Sequence, residues 1–236
     1  MGHLMAGACE VAPKQTVRAF RSPIAWATLL GVLALGLCLD LGAKHWSFKD
    51  VAGRPVVLHR QEILANPSYN PIPVHPGVHA LGAGLLDFRL VINRGAVFGV
   101  ASNQRFFFIA FTVAAVGAGL LVFARWTSSR SRLAHVAIGL ILAGGMGNLY
   151  DRVRFAAVRD FLHMLPEYRL PFGLNWPGGS NEIFPWVFNT ADVMLLLGMG
   201  SLMLHINWVE RRRKVAERAA AAGGGEKQPQ PESLGT

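Results

Sequence analysis

Four uncharged apolar stretches constrain this chain more than any other feature. They run Ser22–Leu39, Phe106–Ala124, Leu133–Tyr150 and Val193–Val209. Backbone polar groups in hydrocarbon must bond to one another, and a helix of about 20 apolar residues crosses the roughly 30 Å core of a bilayer. Each stretch reaches that length once its polar ends enter the headgroups. Composition agrees, since 52% of the 236 residues are hydrophobic and 16% are charged, against roughly a quarter charged in soluble domains. The expected fold is therefore an all-α membrane protein with four transmembrane helices, at about residues 22–43, 104–124, 133–152 and 189–209. The first stretch follows Lys14, Arg18 and Arg21, as in a secretory signal. It is longer than the usual h-region, and "DLGAKHW" offers no small-x-small cleavage site, so it reads as a span.

The formal net charge of +9 is concentrated in "KQTVRAFR", "ARWTSSRSR" and "VERRRK", which flank apolar stretches. That is a membrane pattern and excludes a nucleic-acid reading. Four spans place these three basic flanks on one side, which the positive-inside rule makes the cytoplasm. Residues 1–21 form a cytoplasmic flank. Residues 22–210 form the membrane domain, with outer segments 44–103 and 153–188. Residues 211–236 form a basic flank and a disordered tail, because the sequence from Ala219 is of low complexity. In the first outer segment, "RPVVLH" and "FRLVI" read as strands, while "HPGVHALGAGLLDF" reads as a short helix or a loop. Cys9 and Cys38 are expected on opposite sides of the membrane, which argues against a disulfide between them.

Ionisable groups at membrane depth are costly and concentrate at functional sites. Here they gather, together with polar asparagines, at the outer ends of the spans: Asp40 and Lys44, Asn93 and Arg94, Asn148, Asp151 and Arg152, Asp160, then Asn189 and Asp192. Structural explanations compete for several of them. Asp40 and Lys44 stand i, i+4 and suit a helix-end ion pair. Asp151 suits neutralisation of an arginine. Asn189 suits the N-cap of the fourth span, with Asp192 in its first turn. The glycines of "GLILAGGMGN", with Gly198 and Gly200, suit close helix packing.

Asp160 and Asp192 are the acids without a basic neighbour in helix register. Two carboxylates facing one wet pocket share a proton, so one can act as general base on water and the other as general acid. That is aspartic peptidase chemistry, with no cofactor and no metal. The sequence holds neither HExxH nor GxSxG, the signatures of a metal or serine route. A transporter using the same acids as ion sites is a second reading, opposed by the near absence of polar residues from the middle of the second and third spans.

Five ordered motifs now carry a resemblance: "DLGAK", "NRGAVFG", "GGMGNLYDR", "AAVRDFL" and "FNTAD". Together they resemble the bacterial lipoprotein signal peptidases, the signal peptidase II family of four-helix membrane aspartic peptidases with a small extracytoplasmic β-cradle. The resemblance implies Asp160 and Asp192 as the catalytic pair. It implies Asn93, Gly95, Asn148, Arg152 and Asn189 as substrate-binding residues, and Asp40 and Lys44, with Asp151, as supporting ones. It implies a prolipoprotein substrate carrying a diacylglyceryl-modified cysteine, cut just before that cysteine among the membrane lipid. It further implies a multi-pass protein of the bacterial inner membrane with cytoplasmic termini and an outward-facing site. The chain departs from the family pattern in its long first outer segment and in "PEYRLPFGLNWPGGSNEIFPW", residues 166–186, which reads as an insertion.

Overall fold

The computed structural model of the chain describes residues 17–82, 84–95 and 104–223. It contains four long apolar helices: α1 (Pro23–Asp50), α3 (Gln104–Trp126), α4 (Arg132–Phe155) and α5 (Thr190–Gly223). A short α2 (Arg60–Ala65) lies between the first two. Ser22 starts α1, its hydroxyl accepting from the Ala25 amide with Pro23 in the first turn, where a missing N–H costs nothing. α4 is the central helix. It packs on α5, α1 and α3 and is buried over about half of its length, whereas α3 is largely exposed.

Small residues explain why α4 can be central. A Cβ at Gly144 would strike the Ala191 carbonyl and the Leu195 side chain. One at Gly198 would lie 2.8 Å from the Ala137 carbonyl, and one at Gly139 would lie 2.9 Å from Val32. Close approach of this kind is how membrane helices gain packing when hydrophobic burial gives no driving force. Gly200 and Gly145 have no such neighbour: nothing lies within 4 Å of the first, and 3.7 Å is the nearest approach to the second.

Two helices run further than expected. α1 continues past residue 43 to Asp50, because "KHWSFKD" has no breaker before Gly53 and because Ser47 and Phe48 are buried. At 1.5 Å per residue it is about 42 Å long, so its last turns stand clear of the hydrocarbon. α5 runs to Gly223, into the stretch expected to be disordered, with Arg213–Glu217 and Glu210–Lys214 pairs, each 2.7 Å, along its exposed face. Helix-forming alanines and such pairs outweigh the low complexity there.

The outer segments form one antiparallel sheet in the order β1 (Val78–Leu81), β2 (Leu86–Asn93), β3 (Val158–Met164) and β4 (Val187–Phe188). "HPGVHALGAGLLDF" thus supplies a strand pair and no helix, while "RPVVLH" contributes no strand: its residues lead into α2. The sheet packs on the extension of α1, with Phe48, Val51, Leu58, Ile63, Leu90 and Phe161 in one core. The 166–186 insertion is ordered between β3 and β4. It is closed by an Arg169–Glu182 bridge, and the buried His163 lies 3.0 Å from Glu182. Cys38 is a free, exposed thiol, and Cys9 lies outside the described residues.

Candidate active site

The junction between sheet and bundle collects the acids. β3 begins three residues after α4 ends. Ala156 in the left-handed conformation (φ 64°) reverses the chain between them. Strand alternation then turns Asp160 to the face opposite Arg159 and Phe161. β2 carries a register shift between Phe88 and Val91, opposite Leu162 and Asp160; bulges of this kind re-aim side chains beside functional sites.

Asn189 joins Asp160 to Asp192. Its Nδ2 donates to Asp160 Oδ1 at 2.6 Å and to Asn148 Oδ1 at 3.2 Å. Its Oδ1 accepts from the Ala191 and Asp192 amides at 2.8 and 3.3 Å, and its own amide donates to Asp192 Oδ2 at 3.1 Å. This is a reciprocal capping box with Asp in the third helical position. The same asparagine therefore starts α5, aims Asp192 and bonds to Asp160. Asn148 Nδ2 completes the ring by donating to Asp192 Oδ1 at 2.8 Å.

A charged layer lies beneath. Lys44, fully buried, donates to Asp40 Oδ2 at 2.7 Å and to Asn148 Oδ1 at 3.0 Å, with Asp151 at 3.6 Å. Asp40 Oδ1 accepts from Thr190 Oγ1 at 2.8 Å and from the Ala191 amide at 2.9 Å, so it also binds the start of α5. A Cβ at Gly147 would overlap the Asp40 carboxylate, so only glycine admits this arrangement. Every buried ion here has several partners, which offsets a desolvation cost of several kcal/mol per ion.

Asp151 does neutralise an arginine, but the partner is Arg159 and not its sequence neighbour Arg152. It accepts from the Arg159 backbone amide at 3.0 Å and from Nη2 at 2.7 Å. Helix geometry explains this: consecutive side chains diverge by about 100°, whereas the reversal at Ala156 brings Arg159 back over Asp151. Arg152 points the other way, donating to the Asn148 carbonyl at 3.3 Å and lying 5.2 Å from the centre of the Phe108 ring. Gly95, at φ +79°, follows an Asn93 side-chain turn and faces the same Phe108. Residues 96–103, the rest of "NRGAVFG" and beyond, lie outside the described residues.

The residues expected from the sequence to bind substrate divide by burial, with Gly95 buried beside the Phe108 ring. Asn148 and Asn189 are buried between the carboxylates, whereas Asn93 and Arg152 stand at the rim. Arg159, Thr190 and Phe108 escaped the sequence reading. Arg159 sits beside Asp160 and Thr190 beside Asn189 in their motifs, but their partners, Asp151 and Asp40, lie on other elements.

Burial is the main cause that pushes the Asp160 carboxyl up to about 7. The Asp192 charge adds to this, while hydrogen bonds from Asn189 and Asn93 and the Lys44 charge oppose it. Asp192 is half-buried and accepts an N–H on each oxygen.

Similarity to known proteins follows the same architecture. Residues 32–208 match the family described as Signal peptidase (SPase) II. The chain is 38% identical to a lipoprotein signal peptidase of Symbiobacterium thermophilum over 129 residues, 55% of this chain and 75% of that protein. It is 30% identical to one of Streptococcus thermophilus over 189 residues, 80% and 92% of the two chains. A solved "Bacterial membrane enzyme structure by the in meso method at 1.9 A resolution" shares the fold, with TM-score 0.53 and 22% identity over 76% of this chain and 92% of that one. With the family pattern extending over the four-helix domain and its sheet, this chain belongs to the signal peptidase II family.

Proposed function

We propose that the protein is a membrane aspartic endopeptidase that removes signal peptides from prolipoproteins, with Asp160 and Asp192 as its catalytic pair. The observation that carries the assignment is the Asn189 link, which holds one carboxylate from the sheet and one from a membrane helix in a single hydrogen-bonded unit. Asp192, with N–H donors on both oxygens, is the member assigned to take a proton from water as general base. Asp160, protonated up to about pH 7, donates to the scissile carbonyl oxygen. Water adds to the carbonyl carbon. The tetrahedral adduct then expels the amine of the lipidated cysteine, which takes up a proton as the C–N bond breaks.

Position supports the substrate class. A cysteine carrying a diacylglyceryl group cannot leave the bilayer, so its peptide bond must be cut at membrane level. The junction of α4, α5 and the sheet lies at that level. Arg152 and Asn93 at the rim are placed to bond an extended backbone that finds no partners in lipid. Asn148 and Asn189 act by positioning the dyad, Asp40, Lys44 and Asp151 by holding the helix ends, and Gly95 by shaping the Asn93 turn. The three basic flanks orient the dyad toward the outer face, with both termini cytoplasmic.

The test is cleavage of a purified diacylglyceryl prolipoprotein. Asp160→Asn and Asp192→Asn are each expected to lower kcat by at least about 10³-fold, by analogy with other catalytic groups acting as a unit, while remaining folded. Wild-type turnover by either variant rejects the dyad.

A further inference from the structure

At the end of the bundle opposite the dyad, a cavity of about 850 Å³ opens between the α3–α4 turn and the second half of α5. Its charged lining is Arg130, Arg132 and Arg211, and no carboxylate lines it. None of the three arginines makes an ion pair among the described residues. The adjacent Glu210 is already taken by Lys214 at 2.7 Å. One wall is apolar, formed by Leu133, Leu204 and Trp208. The Trp208 indole is held from behind by the Arg212 guanidinium, 4.0 Å from its centre. Three like charges converge on a greasy wall, with no carboxylate paired to them among the described residues.

We propose that this groove binds one anionic phospholipid, its phosphate held by Arg130, Arg132 and Arg211 and its acyl chains lying along Leu133 and Leu204. Charge complementarity selects the headgroup, and arginine suits phosphate because its fork of N–H donors matches two oxygens. The apolar wall selects a lipid over a soluble phosphate, which would gain nothing from it. Basic pockets between membrane helices are a recurrent way of holding acidic headgroups. Bound there, the phosphate removes the repulsion between the start of α4 and the exit of α5.

The test uses the full chain in detergent, with native mass spectrometry against phosphatidylglycerol, phosphatidylcholine and glycerol phosphate. One phosphatidylglycerol should be retained in preference to phosphatidylcholine, and glycerol phosphate at equal concentration should not displace it. Neutralising all three arginines (R130Q, R132Q and R211Q together) should weaken retention on the order of a hundredfold, from about a factor of five per arginine. Should the triple variant fail to fold, the three single variants give the graded losses. Arg125→Gln with Arg218→Gln, which removes two exposed charges outside the groove, should leave retention unchanged. The proposal is overturned by equal retention in the arginine-to-glutamine variants, by equal binding of phosphatidylcholine, or by displacement with glycerol phosphate, which would mark a soluble-anion site. Loss in the Arg125/Arg218 control equal to that in the triple variant also overturns it, since only diffuse charge would then be acting.

Discussion

Asp160 shows how one side chain can be both a liability and a tool. Its carboxyl, pushed up to about 7 chiefly by burial, keeps its proton in the native state over a range where the unfolded chain has released it. Between about pH 4 and 7 the native state therefore binds more protons, so stability falls as pH rises. Above 7 the ionised, buried group costs on the order of a few kcal/mol. Asp160→Asn should thus raise the thermal midpoint at pH 8 by more than at pH 5, measured in the same detergent. A pH-independent difference between the two proteins would remove the basis for a neutral Asp160. Activity should likewise decline along a basic limb near pH 7 as the general acid loses its proton. Asn189 is the companion case. Its role as N-cap and its bond to Asp160 use different atoms of one amide, so the structural reading and the functional one describe the same residue.

At the scale of elements, the site exists because helices approach closely enough to share polar groups. Gly144 and Gly147 lie one turn apart on α4, the first against the start of α5 and the second against Asp40 of α1. A methyl group at either position would push apart the helices that carry the dyad and its supports. Gly144→Ala should therefore lower both thermal stability and cleavage. Gly145→Ala, next in sequence, has room, and in a helix interior alanine gains about 1 kcal/mol over glycine. Paired melts and cleavage assays should separate the two, and equal behaviour would count against the packing argument. The α4–β3 reversal is the second device, since Ala156 returns the chain so that Arg159 covers Asp151 and Asp160 faces α5.

For the whole molecule, charge and chemistry are segregated by end. Basic flanks with few acids crowd one end of the bundle, while the other carries the sheet, the Asp160–Asp192 pair and the insertion. Membrane orientation then decides which compartment each end meets. In a Cys9→Ser, Cys38→Ser background, Gly178→Cys on the insertion should react with an impermeant maleimide added outside intact cells. Arg218→Cys on the far extension of α5 should react only after lysis. The reverse pattern would invert the topology.

The sequence alone determined the four spans and their basic flanks, and it singled out Asp160 and Asp192 as candidates. These follow from local quantities: the length of an apolar run, the sign of its flanks, and the cost of a carboxylate at membrane depth. It was also sufficient to place Asn189 as a cap. Tertiary structure alone decided who pairs with whom. Asp151 and Arg152 are neighbours in sequence but diverge around the helix, while Arg159 comes back across a reversed turn. Lys44 reaches Asn148, and Thr190 reaches Asp40, across helix–helix contacts that no periodicity encodes. Hydrophobic patterning says how far a segment lies from water. Partner choice depends on where a close-packed neighbour places its last few atoms, and that is settled only when the helices meet.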